Sequence, residues 1–217
     1  AGVYISKDKD IHQTQILYKN KKYFIDAKKA YEKIAAESPF MPDSYLSQGR
    51  MYYFAGEYKK FLDVYKTALS VLPDLSAPGL NRDHRDDINN FIIEVYGNMI
   101  QSYKKLNDIN SQLVYYKKII GINPYRLVVY RKIADIYFRK GDLNKAIWYN
   151  KRGYMLNPRD YTWPFSIALL YKERGNTNKA LEYARKALNL APDNGKIKEF
   201  IKTINVSGEN SITGGKN

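Results

Sequence analysis

The side chains able to do acid–base or metal chemistry are few and scattered. The chain has two histidines, His12 and His84, and neither stands in a metal-ligand spacing such as HExxH. Asp83, Asp86 and Asp87 crowd around His84. Following Asn81, they read as the acidic start of a helix, where carboxylates meet the positive end of the dipole. Cysteine is absent, which removes disulfides and thiolate metal sites. There is no phosphate-cradling glycine loop and no GxSxG nucleophile elbow. The residues therefore predict no catalysis, no metal and no cofactor. What the sequence does supply is positive charge and tyrosine. Lys and Arg number 36 against 22 Asp and Glu, for a net charge of +14, and there are 21 tyrosines. Such a chain attracts acidic partners, whether acidic peptides, anionic lipid head groups or nucleic acid.

The elements that would carry these side chains follow from a ladder of prolines. Pro39, Pro73, Pro124, Pro158 and Pro192 are spaced 34, 51, 34 and 34 residues apart. A fixed period in this range marks a stack of similar small units. The last two units, 127–160 and 161–194, align on Gly141 and Gly175. Ala134 and Ala168 are small residues of a first helix, and Tyr137 and Tyr171 follow three residues later. The glycines end that helix in a left-handed turn. Ala146 and Ala180 then let a second helix approach closely, and Pro158 and Pro192 follow where the second helix must end.

This pattern resembles the tetratricopeptide repeat (TPR) family over roughly Ile11 to Asn194. Unit 42–75 keeps Tyr45, Gly49, Tyr52, Gly56, Ala68 and Pro73, with Phe61 where the family prefers alanine. Unit 93–126 keeps Tyr96, Tyr103 and Pro124. There Asn107 replaces the turn glycine and Gln112 the alanine, and asparagine is the next best residue for a left-handed cap. The first unit, about 8–41, keeps Tyr18, Ala27, Tyr31 and Pro39. The resemblance implies an all-α, right-handed superhelix (α-solenoid) of about five helix pairs. Tyrosine is expected to fill repeat positions, with its ring inside and its hydroxyl near water.

The remaining segments are irregular. Residues 1–10 are polar and expected to be flexible. Ile197, Phe200, Ile201 and Ile204 fall at helical spacing, so a capping helix is expected over about 195–205. The Gly-, Ser- and Asn-rich stretch 206–217 is expected to be a disordered tail. Residues 76–92 are an insertion. Leu75–Leu80 reads as a loop and Asn81 as an N-cap. Ile88, Phe91, Ile92, Val95 and Met99 continue at helical spacing into the third unit. The insertion thus extends that unit's first helix to about Arg82–Leu106, with two or three turns projecting. No apolar run approaches the ~18 residues of a membrane span. No leader pattern is visible at Ala1, which leaves a leader or anchor upstream open, and with it a cytoplasmic or an extracytoplasmic setting.

By resemblance, groove-facing side chains stand at the second, fifth, ninth, twelfth and thirteenth positions of each unit. The candidates are Arg50, Tyr53 and Phe54; Gln101, Lys104 and Lys105; Arg131, Asp135, Phe138 and Arg139; and Phe165, Leu169 and Lys172. A groove of aromatics and cations suits an extended or helical peptide with acidic and apolar side chains. The clamp that chaperone-binding members use needs lysine at the fifth and asparagine at the ninth position. Here those positions read His12/Ile16, Leu46/Arg50, Gly97/Gln101, Arg131/Asp135 and Phe165/Leu169, so a chaperone tail is not the expected partner. Nucleic acid is not expected either, because no nucleic-acid-binding motif is present. The pairs Lys28-Lys29, Lys59-Lys60 and Lys117-Lys118 lie on second helices and read as a solvated outer face. The expected function is a non-catalytic protein–protein interaction scaffold. Its Lys-, Asn-, Ile- and Tyr-rich composition fits an AT-rich bacterial genome, which suggests a part in a bacterial assembly complex. The alternative is a self-associating structural module, a homodimer for instance, using the projecting helix or an open repeat end.

Overall fold

The computed structural model of the chain describes residues 21–38, 41–76 and 78–213. The flexible segment expected at the N-terminus and the first helix of the first repeat lie outside these residues. Among the described residues there are ten helices and no strand. They are α1 (Lys21–Glu37), α2 (Pro42–Phe54), α3 (Tyr58–Ser70), α4 (Arg82–Lys105), α5 (Ile109–Ile122), α6 (Leu127–Arg139), α7 (Leu143–Leu156), α8 (Thr162–Glu173), α9 (Thr177–Leu190) and α10 (Gly195–Thr213). One continuous domain was expected over 11–205. By its internal contacts the chain divides into two compact units, Ala1–Tyr115 and Tyr116–Asn217, with the division falling inside α5.

The helix boundaries have local causes. First and second helices of a pair are joined through a residue with positive φ: Gly56 at 75°, Asn107 at 56°, Gly141 at 75° and Gly175 at 76°. Asn107 is the sole positive-φ non-glycine among the described residues, and its short polar side chain tolerates the left-handed region. In three of these turns the next residue caps the following helix. Asp108 accepts from the Ser111 N–H at 2.9 Å, Asp142 from Lys145 at 3.0 Å and Asn176 from Lys179 at 3.0 Å. Each cap satisfies an orphan donor of the first turn, worth about 1 kcal/mol. Asn81 does the same for α4, accepting from the His84 N–H at 2.8 Å.

In the first unit, α2 and α3 pack against each other and α3 packs against α4. The core is built from Leu46, Tyr52, Phe61, Leu62, Tyr65, Ala68, Val95 and Met99. Phe61, at the family's alanine position, is 2% exposed and lies 4.0 Å from the Tyr65 ring, centroid to centroid. The larger side chain is accommodated partly by Gly49, where an added Cβ would meet the Tyr65 ring at 2.3 Å. The insertion behaves as the N-terminal part of α4. Its first six residues, Arg82–Asp87, are all exposed, and burial begins only where the apolar spacing takes over, with Ile93, Val95 and Met99.

In the second unit, α6 packs on α7, α7 on α8, α8 on α9 and α9 on α10. The alanines expected to permit close approach, Ala134, Ala146, Ala168 and Ala180, are essentially inaccessible. Trp163 is fully buried, contributing about 2–3 kcal/mol by burial. The capping helix covers the last pair with Ile197, Phe200 and Ile204. It does not stop near 205 as expected but runs to Thr213, through part of the stretch read as a disordered tail. One glycine inside it, Gly208, costs about 1 kcal/mol against alanine and does not by itself end a helix.

Candidate partner-binding face

The two units hold the candidate residues in different ways. In the first unit, Tyr53 is an internal packing residue. Its ring meets Phe54, Tyr58 and Phe61 edge-on at 5.9, 5.4 and 5.6 Å. Phe54 is half-buried beside it. Arg50 is half-buried and donates to the hydroxyl of Tyr65, whose pKa is pushed up to about 12, chiefly by burial. Gln101, Lys104 and Lys105 are exposed at the end of α4, where Lys104 Nζ donates to Gln101 Oε1 at 3.4 Å.

In the second unit, Arg131 is engaged inside the fold. Its guanidinium on α6 pairs with Asp160 at 2.7 Å, donates to the Thr162 hydroxyl, and lies 4.1 Å from the Trp163 ring centroid. It ties α6 to the start of α8, a use that spacing alone does not reveal. Phe165 packs edge-on against Phe200 of α10 at 5.5 Å, and Lys172 Nζ lies 5.4 Å from that same ring. Phe138 and Leu169 stay open, at 48% and 45% exposed. Asp135, Arg139 and Lys172 are exposed around them. Val128, at the second position of its unit, is 60% exposed and joins α6's open residues; the spacing rule reaches it although it was not among the candidates. The first-helix face of this unit therefore offers three apolar side chains among charged ones.

The lysines of the second helices are not simply solvated. Tyr52 lies beneath Lys28 at 4.8 Å and Lys60 at 5.7 Å. Tyr137 lies beneath Lys117 at 5.8 Å and Lys145 at 5.2 Å. Tyr171 lies beneath Lys151 at 5.6 Å and Lys179 at 5.4 Å. In each case one cation comes from the residue's own pair and the other from the preceding second helix. The ring face attracts both, worth roughly 0.5–1 kcal/mol each where solvent reaches them. Three tyrosine pairs also stack across their helix pairs at 34-residue intervals: Tyr103 on Tyr115 at 5.4 Å, Tyr137 on Tyr149 at 5.6 Å, and Tyr171 on Tyr183 at 5.6 Å. Much of the tyrosine and part of the lysine excess is thereby spent on joining helices. Glu57 adds to the first of these clusters. Hydrogen bonds from Lys60 and Lys28 hold its carboxyl below the usual carboxylate range, against an opposing push from burial.

Among the described residues, no group of three His, Asp or Glu side chains is placed to hold a metal ion. No described helix is long and apolar enough to cross a membrane.

Residues 165–194 match the family model described as tetratricopeptide repeat. Solved structures share the fold at low identity. A crystal structure of MamA is 19% identical, with a TM-score of 0.53, over 87% of this chain and 96% of that one. YrrB, described as a TPR protein with an unusual peptide-binding site, is 18% identical with a TM-score of 0.52, over 89% and 90%. The C-terminal part of a TPR repeat-containing protein from Cytophaga hutchinsonii is 17% identical with a TM-score of 0.61, over 94% and 74%. No curated protein matches the sequence. Helical with no strand among the described residues, and built from helix pairs with alanine contacts and left-handed turns that recur every 34 residues from Asn107 to Gly175, the chain resembles the tetratricopeptide repeat family in sequence and in fold.

Proposed function

We propose that the chain is a non-catalytic interaction scaffold that binds a peptide or protein segment on the first-helix face of its second unit. One observation carries this reading: Phe138 and Leu169, at groove positions of successive repeats, are large apolar side chains left open to solvent. Exposed apolar groups framed by charge are the usual composition of a recognition surface. Arg139 and Lys172 beside them favour a partner carrying carboxylates, mainly by steering its approach. The peptide-binding site named for YrrB supports the class of function, although at 18% identity the likeness extends to fold alone. A part in a bacterial assembly complex is consistent with this reading. The test is peptide-display selection against the whole chain, followed by binding to the Phe138→Ala and Leu169→Ala variants. Selected peptides rich in acidic and apolar residues, weakened by both substitutions, support the reading.

Self-association has one observation in its favour, the six exposed residues Arg82–Asp87 at the start of α4. Sedimentation of the chain with and without residues 76–90 tests it: a concentration-dependent dimer lost on deletion would replace the peptide-binding reading.

A further inference from the structure

A second open surface lies on the other side of the helix pairs. On α7, Ala146, Asn150 and Gly153 form the buried stripe. Trp148, Arg152 and Met155 stand on an opposing stripe at i, i+4 and i+7. Trp148 is 49% exposed and Met155 70% exposed. The indole is held in place, edge-on to Tyr149 at 4.7 Å and with the Arg152 guanidinium 4.9 Å from its centroid. None of these residues belongs to the first-helix face, and none was singled out by the repeat pattern.

Charge around the stripe is mainly positive; the carboxylate of Asp142, at the N-terminus of α7, is already paired with Lys145 at 2.7 Å. Helix α7 carries Lys145, Lys151 and Arg152 and no acid. Lys151 reaches the Tyr183 ring of α9 at 5.4 Å, so the two second helices are neighbours. Helix α9 carries three cations and one acid, Glu182, and that carboxylate is already paired with Lys186 at 2.6 Å. We propose that this outer face docks an acidic amphipathic helix of a partner protein. Apolar side chains of the partner seat on Trp148 and Met155, and a carboxylate takes the guanidinium of Arg152 in a two-pronged pair. Tryptophan and arginine are the residues on which such interfaces most often depend. A second copy of the chain would bring like charge against like. A lipid surface would find few side chains to insert, Trp148 and Met155 with the less exposed Leu156 at its edge, and vesicle binding is therefore kept as an outcome of the test.

The chain has two tryptophans. Trp163 is fully buried, so a change in emission on binding reports Trp148. The probes are a synthetic leucine–glutamate amphipathic helix, its leucine–lysine counterpart, and phosphatidylcholine vesicles containing phosphatidylserine. The leucine–glutamate helix shifts the emission to the blue, and Trp148→Ala and Arg152→Glu each weaken binding of the labelled peptide about tenfold or more. Phe138→Ala leaves the blue shift unchanged, because the Trp148 indole reports the outer face alone and not an acidic peptide taken up on the first-helix face. Both substituted side chains are exposed, and unchanged thermal melts establish that the variants are folded. Equal binding of the leucine–lysine helix overturns the proposal. So does vesicle binding without peptide binding, loss of binding in Phe138→Ala in place of Trp148→Ala, or a dimer that Trp148→Ala dissociates.

Discussion

Gly153 lies directly beneath the indole of Trp163. A Cβ at position 153 would sit 2.4 Å from the Trp163 ring, closer than packed carbon atoms approach. The contact joins α7 to α8, and the ring it would displace is fully buried. Gly153→Ala therefore destabilises the second unit by about 1–3 kcal/mol despite alanine's better helix propensity, because overpacking outweighs it. Trp163→Ala costs about 3–5 kcal/mol. Chemical denaturation of the two variants measures both, and a more stable Gly153→Ala protein would contradict the packing described.

Arg131 belongs to the same cluster, and its substitution should act on stability more than on binding. It is about a third exposed, so its ion pair with Asp160 is screened and contributes under about 1 kcal/mol. Stacking on Trp163 adds about 0.5–1 kcal/mol. Arg131→Ala and Arg131→Lys both lower the melting temperature of the second unit, since lysine cannot reproduce a planar stacked fork. Neither changes the salt dependence of peptide association as Lys172→Glu does. Stopped-flow association at two ionic strengths separates the cases.

Asn107 predicts an asymmetry between two substitutions. At φ 56° it holds the left-handed turn that glycine holds in the other pairs. Asn107→Gly keeps or slightly raises stability, whereas Asn107→Ala lowers it by about 1 kcal/mol. Thermal melts of the pair of variants give the order directly.

These positions also show how far the sequence could be read. The turn residues, the Asn81 cap and the extended α4 were legible because each depends on a single local requirement: a left-handed φ, an oxygen three residues before an N–H, a run at helical spacing. The fates of the groove candidates were not. Position in the repeat places Arg131, Tyr53 and Phe165 near the first-helix face. Whether a long side chain reaches solvent or a neighbour depends on what the next helix presents. Trp163 and Asp160 capture Arg131, Phe61 captures Tyr53, and Phe200 of the capping helix takes Phe165. The same holds for lysine. A pair such as Lys117-Lys118 reads as solvated until the Tyr137 ring is found under one of its members. The exposed Trp148 had no periodic signal at all, since it recurs in no other unit.

Alkaline pH should undo the tyrosine framework. Burial raises the hydroxyls of Tyr53, Tyr96, Tyr116 and Tyr149 above their ordinary pKa, and Tyr52 to about 12. Tyr65 is likewise raised to about 12 by burial. A folded-state pKa above the unfolded value means the stabilisation is complete below about pH 10 and is lost as the pH rises from there through the folded-state values. Unfolding followed by circular dichroism should then coincide with a steep rise in tyrosinate absorbance. Tyrosines that ionise one by one at their ordinary pKa in a protein that remains helical would contradict the buried arrangement.

The claim that the first-helix face of the second unit receives a partner is tested most directly by one titration. A peptide selected by display against the whole chain is titrated into the native protein and into the Phe138→Ala/Leu169→Ala double variant. Two half-exposed anchors lost together should weaken binding at least tenfold, with only a small fall in melting temperature because about half of each side chain already faces water. Equal affinity for both proteins, with the selected peptide still bound, would place the partner elsewhere and contradict the account.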